Sequence, residues 1–359
     1  MSRVDASESA GANPALWYTR CPLPTASAVA IDQGILQRSF EQVGVQVQSL
    51  LSTDDPKVRQ SHFDHGVRNL FRQGGNIPPI WSRSRGADTC VVGISVTREY
   101  QAIAASATGS IRAPGDLRGA RLALPRRVGA AIDYWRAMCL HGYESALAVA
   151  GLTLSDVELV DLPVQESYID APVGGQGKNM PLWGGPSRAR RQQAELIAFV
   201  RGEVDAFYAS GALGLQMVAM LGAREVVELG FDPDPKVGAN NQVPNILTVD
   251  RTLALERPDL VARYIAALNE AARWARAHPD EAARSFAREI GAPEEWLPAA
   301  YGDKVIDSLP LALDDDAIAA LDAQAAFLRR HGFIDSAVSI EQWIVAEPLA
   351  LANQEIFQA

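Results

Sequence analysis

From Trp17 to about Val261, short apolar, β-branched runs alternate with longer stretches whose apolar residues recur at helical spacing. That alternation is the pattern of βαβ units built around mostly parallel sheets. The runs predict strands at Leu16–Tyr18, Val45–Leu51, Val91–Val96, Arg121–Leu124, Val157–Leu162, Val204–Tyr208, Val226–Leu229 and Ile246–Val249. Most end in Gly, Pro, Ser or Asp, which puts their tips in loops. Thr25–Phe40 carries Val29, Ile31, Ile35, Leu36 and Phe40 at helical spacing, with Thr25 placed to cap the start. The last third reads as mainly helical. Pro258–Ala277 repeats apolar residues at Leu260, Tyr264, Ile265, Leu268 and Trp274, and Asp314–His331 does so at Ile318, Leu321 and Phe327, so both are expected to cover the sheets.

The turn-forming run Arg112-Ala113-Pro114-Gly115-Asp116-Leu117-Arg118-Gly119 precedes a fresh strand and predicts a passage between two sheets, with the return near Gly230–Pro235. The expected class is α/β in two domains. Residues 1–118 and 230–359 form a discontinuous domain, and 119–229 form a second α/β domain that closes a cleft against it. Ala171–Pro186, rich in Gly and Pro, is either a lid over that cleft or an inert surface excursion.

Composition narrows the class of function. A chain of 359 residues, 48% of them hydrophobic, can bury a large core. The net charge of −10 comes from acidic and basic residues mixed along the chain, without a basic stripe for phosphates or anionic lipid, so no nucleic-acid or membrane partner is expected. No apolar run approaches the roughly 18 residues of a membrane span, and Met1-Ser2-Arg3-Val4-Asp5 lacks a secretory pattern. The expectation is a cytoplasmic monomer. Cys21, Cys90 and Cys139 fit neither a disulfide framework nor a zinc motif and are expected as reduced thiols.

Two segments carry chemistry. Thr19-Arg20-Cys21-Pro22-Leu23-Pro24 sets a cysteine at a strand-to-helix junction, where ligands bind in open α/β sheets and where a helix N-terminus favours the thiolate. Cys21 is either a reactive thiol there or a small buried hydrophobe. The second segment is Ser61-His62-Phe63 followed by Arg72-Gln73-Gly74-Gly75-Asn76-Ile77-Pro78-Pro79. An arginine offers a planar fork of donors for a two-oxygen anion, and Gly74-Gly75 lets backbone N–H groups come close to it. The same residues also fit a helix that ends at Gly74 with Arg72 in its last turn, and His62 also fits a hydrogen-bonded core position. His65 is expected on an outer face, and Cys90 and Cys139 in structural positions. No G-x-S-x-G elbow, Walker loop, H-E-x-x-H or dinucleotide fingerprint occurs, and the five histidines are scattered, so neither metal nor cofactor is expected.

The spacing Cys21, His62, Arg72-x-Gly74-Gly75-x-Ile77-Pro78-Pro79 resembles that of the 2'-hydroxybiphenyl-2-sulfinate desulfinase family, the last enzyme of the bacterial pathway that strips sulfur from dibenzothiophene. Tyr18-Thr19-Arg20-Cys21-Pro22, Val157-Glu158-Leu159-Val160, Gly202-Glu203-Val204-Asp205-Ala206, Trp274-Ala275-Arg276 and Gln342-Trp343 extend the likeness along the chain. The resemblance implies a type II periplasmic-binding-protein-like fold without cofactor and a hydrolytic desulfination that releases sulfite from an aryl sulfinate. It further implies Cys21 and His62 as catalytic residues, with Arg72, Gly74 and Gly75 binding the substrate; Cys21 either protonates the ring carbon as a thiol or attacks sulfur as a thiolate. Two departures stand out: Gln73 replaces an aromatic residue, and Ala209-Ser210-Gly211-Ala212 replaces a tryptophan-bearing stretch. Both are expected to alter the pocket wall, whereas Trp81, Trp135 and Trp183 are expected in the core, with compensating aromatic walls of the pocket as the alternative role. The alternative is a solute-binding protein for a sulfonate, nitrate or similar oxyanion, which would share the fold.

Overall fold

The computed structural model describes residues 15–165 and 192–354. Ala171–Pro186 and Trp183 therefore lie outside the described residues. Among the described residues, ten strands form two five-stranded sheets. The first sheet contains β1 (Leu16–Arg20), β2 (Val47–Ser49), β3 (Leu70–Gly74), β4 (Thr89–Ser95) and β10 (Asn245–Asp250), in the order β2-β1-β3-β10-β4. The second contains β5 (Gln101–Ala105), β6 (Arg121–Arg127), β7 (Glu158–Val164), β8 (Ala206–Ser210) and β9 (Arg224–Glu228), in the order β7-β6-β8-β5-β9.

In each sheet a single strand runs against the rest. β10 is antiparallel to both β3 and β4, and β5 is antiparallel to both β8 and β9, while β1–β2, β1–β3, β6–β7 and β6–β8 are parallel. β5 is the strand by which the chain enters the second sheet, and β10 the one by which it returns to the first. Sheets otherwise parallel in direction agree with the sequence pattern. The passage itself differs from the expectation, since β5 already pairs with β8 and β9, ahead of the turn-rich 112–119 segment. That segment instead forms a short 3-10 turn at Pro114–Leu117 leading into β6.

Eight predicted strands have a counterpart. β3 and β5 were missed because neither is an apolar, β-branched run: Arg72, Gln73 and Gly74 make up most of the first, and the second is three alanines, a glutamine and one isoleucine. The predicted helix at Thr25–Phe40 is two helices, Ala26–Asp32 and Ile35–Glu41, separated at Gly34, whose φ of 67° a glycine adopts without strain. Thr25 caps the first, its Oγ1 accepting from the Ala28 N–H at 3.2 Å. The helices Pro258–Ala277 and Asp315–Arg330 follow the predicted periodicity closely.

Two contacts hold the first sheet against its helices. Phe71 of β3 stacks on Tyr264 of the Pro258–Ala277 helix with centroids 4.1 Å apart, and burying such a ring is worth about 1.5–3 kcal/mol. Arg20, the last residue of β1, pairs with Glu289 of the helix Pro279–Ile290 at 2.9 Å, with both side chains buried. The end of β1 is therefore fixed directly before Cys21. Among the described residues no helix is long and apolar enough to cross a membrane.

Candidate active site

Strand residues alternate in face, so Thr19 and Cys21, two apart, project to the same side. Both meet His62, which sits in the last turn of the helix Pro56–Asp64 and is buried. Thr19 Oγ1 lies 2.8 Å from Nδ1 of His62, and Cys21 Sγ lies 3.6 Å from Nε2. The hydroxyl thereby turns Nε2 toward the sulfur.

His65 ends that helix in a left-handed conformation with φ 55°. Contrary to the expectation of an outer face, it is buried, and its Nε2–H donates to the Leu70 carbonyl at 3.0 Å. Burial pushes its pKa down to about 4, so the ring is neutral and ties the helix end to the start of β3.

Arg72 lies in the middle of β3, which rules out the helix-end reading. Its side chain is 1% exposed, and each nitrogen has an acceptor: Nε donates to the His62 carbonyl at 2.7 Å, Nη1 to the Gly75 carbonyl at 2.7 Å, and Nη2 to Cys21 Sγ at 3.5 Å. Burial lowers its pKa, and the charges of Cys21 and Tyr134 oppose that shift. The Gly75 N–H also donates to Sγ, at 3.4 Å. Gly74 contributes space, because a β-carbon there would lie 2.4 Å from Sγ. A β-carbon on Gly75 would lie 2.4 Å from Nδ2 of Asn241, whose Oδ1 accepts from the Ile77 N–H at 2.9 Å.

The structure therefore gathers Cys21, His62, Arg72, Gly74 and Gly75 into one cluster. A guanidinium N–H and a backbone N–H converge on the sulfur, an arrangement complementary to negative charge at that point. Cys90 in β4 and Cys139 in the helix Tyr134–Val149 are fully buried, and burial raises the Cys90 thiol to about 12, which makes it inert.

A cavity of about 290 Å³ lies beside the cluster, between the two sheets. Cys21, 6% exposed, is not one of its walls; the connection runs through Leu23, Tyr134 and Gln242. Leu23 follows Cys21 by two residues, Tyr134 acts electrostatically on Arg72, and Gln242 adjoins the Asn241 that packs on Gly75. Ser210, Gly211 and Ala212 also line it, as the departure from the family pattern predicts. Gln73 does not share that role. It is fully buried, with Oε1 accepting from the Ser27 N–H at 3.1 Å. Trp135 is a cavity wall and not purely core, and its indole N–H donates to Glu195 at 2.5 Å. Thr19 could have been found from its two-residue offset to Cys21. Tyr134, Gln242 and Glu99 are brought to the site by tertiary packing and leave no local signal.

Along the whole chain the sequence is 29% identical to 2'-hydroxybiphenyl-2-sulfinate desulfinase of Rhodococcus erythropolis, with 92% of each chain covered, and it is equally similar to that of Rhodococcus qingshengii. The chain is similar to these desulfinases over nearly all of its length. A cysteine-to-serine mutant of the desulfurization enzyme DszB, in complex with biphenyl-2-sulfinic acid, superposes with a TM-score of 0.73 at 25% identity, over 94% of this chain and 98% of DszB. The fold is the type II periplasmic-binding-protein-like arrangement the resemblance implies. It is shared with the aliphatic sulphonate binding protein SsuA of Escherichia coli, at a TM-score of 0.63 and 18% identity over 93% of this chain and 92% of that one. A family model described as NMT1/THI5 like matches residues 189–282, the part of the chain that runs from the second sheet back into the first.

Proposed function

We propose that the chain is a hydrolytic desulfinase for an aryl sulfinate, replacing the carbon–sulfur bond by carbon–hydrogen and releasing sulfite. The observation that carries this reading is the convergence of the Arg72 guanidinium, the Gly75 N–H and His62 on the Cys21 sulfur, next to a largely apolar cavity. The aryl group occupies the cavity, and the sulfinate oxygens take the Arg72 Nη2 and Gly75 donors. Cys21 gives its proton to the ring carbon as the carbon–sulfur electron pair becomes the new carbon–hydrogen bond. Sulfur dioxide leaves, water adds to it to form bisulfite, and the proton released returns through His62 to the thiolate. The balance is one water consumed per arene and bisulfite formed. No group outside the chain is needed. A reducing compartment keeps such a thiol available, which favours a cytoplasmic location.

Incubating the protein with aryl sulfinates and assaying sulfite tests the reading. Stoichiometric sulfite and arene support it. Sulfinate or sulfonate binding without turnover would replace it with the solute-binding alternative that the shared fold allows, although a binder gains nothing from a thiol between its anion donors.

A further inference from the structure

The helix Gln193–Val200 is turned against its own hydrophobicity. Its buried residues are Glu195 and Ala198, whereas Ile197 and Val200 are 46% and 67% exposed. Placing a carboxyl group on the core face and aliphatic side chains outside works against burial, so the position calls for a specific partner. That partner is Trp135, in the first turn of the helix Tyr134–Val149, whose indole N–H donates to Glu195 Oε1 at 2.5 Å. Glu195 is fully buried, and its Oε2 has no hydrogen-bond partner among the described residues. The carboxyl group is held inside, at a desolvation cost, for a single bond. Trp135 in turn forms part of the cavity wall, and its ring is tilted by 54° against that of Tyr208, with centroids 5.9 Å apart. A contact between tilted rings constrains the rotation of an indole less than a directional hydrogen bond does.

We infer that Glu195 is a positioning residue, which fixes the Trp135 indole as the wall on which the far part of the substrate's organic group packs. The inference rests on the desulfinase reading above and deepens it at the same site. Glu195 touches no reacting atom and acts only through Trp135. Its Oε1 accepts whether the group is charged or protonated, so the wall is held in either state. The cavity meets the Cys21 cluster through Leu23, Tyr134 and Gln242, so an organic group must extend past these three to reach the indole. A fixed wall binds such a group without first ordering the ring, which lowers the entropy loss on binding. A single-ring sulfinate held at Arg72 and Gly75 gains little from it. Loss of Glu195 should therefore weaken binding of extended substrates and spare both the chemical step and short ones.

The test compares biphenyl-2-sulfinate with benzenesulfinate, by KM and kcat from sulfite release and by calorimetric affinity in the Cys21→Ser background. Glu195→Leu should raise KM and weaken affinity for the biphenyl compound by about tenfold, with kcat and the benzenesulfinate affinity within about twofold of wild type. Glu195→Gln keeps an acceptor for the indole and should restore the biphenyl values. In a Trp135→Phe background, which lacks the N–H, Glu195→Leu should add no further loss. Unchanged biphenyl affinity in Glu195→Leu, or an equal loss for both sulfinates, would overturn the inference and leave the desulfinase reading standing. Failure of every sulfinate to bind would remove both. If Glu195→Leu does not fold, the Trp135 indole proton decides, assigned in the NMR spectrum by its loss in Trp135→Phe. It should shift when biphenyl-2-sulfinate binds and stay protected from exchange in the complex, whereas a resonance that the ligand leaves unmoved would overturn the inference.

Discussion

Gly74 and Cys21 are so close that a β-carbon on the glycine would lie 2.4 Å from the cysteine sulfur and 2.5 Å from its Cβ. Gly74→Ala should therefore displace the thiol from Arg72 and Gly75 and add strain at a φ of 149°, costing about 1–3 kcal/mol of stability. Sulfite release should fall by about a hundredfold or more. Gly86 serves as the control. Its φ is 90°, but nothing lies within 4 Å of its would-be β-carbon, so Gly86→Ala should bear backbone strain alone and keep full activity.

Cys21→Ser should fold and bind sulfinate while losing nearly all turnover, because a hydroxyl of similar size is a far weaker acid. Circular dichroism, calorimetry and a sulfite assay on one preparation check the three parts. Sulfite release at the wild-type rate would show that Cys21 takes no part in the reaction.

Arg72→Lys should weaken sulfinate capture by about 1.5–3 kcal/mol, since an ammonium cannot reproduce the planar set of donors. Thermal stability should fall as well, because Arg72 also holds the carbonyls of His62 and Gly75, both at 2.7 Å. A rise in KM together with a lower melting temperature is the expected pair of observations. Unchanged KM would confine Arg72 to a structural role.

Glu195 yields a pH prediction. Burial raises its pKa from 4.5 to about 7, against the opposing hydrogen bond from Trp135. The fold favours the protonated form, so the native state holds a proton that the unfolded chain has released between those two values. Stability should fall as pH rises from about 4.5 to about 7, by a total on the order of 3 kcal/mol. His65 works in the opposite sense, because its pKa is lowered from 6.5 to about 4 and its contribution grows with pH across that window. The difference between wild type and Glu195→Gln cancels the histidine. That difference should be near zero below pH 4.5 and should favour the variant above pH 7 in chemical unfolding, where a flat difference would be inconsistent with a protonated Glu195.

Much of this protein is written locally. Short apolar, β-branched runs gave eight of the ten described strands, and helical periodicity gave the long helices of the last third, which show water and core on different faces. The site residues were legible for a different reason. Cys21, His62, Arg72 and the glycine pair are residue types that chemistry restricts, and their order along the chain carries the likeness to the desulfinases. β3 was not legible, since Arg72, Gln73 and Gly74 interrupt its apolar run, and Arg72 on it read equally well as a helix end. Tertiary structure alone decided what surrounds the sulfur. Thr19 orients His62, Asn241 leaves room only for a glycine at 75, and Tyr134, Glu99 and Gln242 come from three distant segments to the same cavity. Contacts of that kind depend on how two sheets pack against each other, and long-range packing has no period that a single chain segment can display.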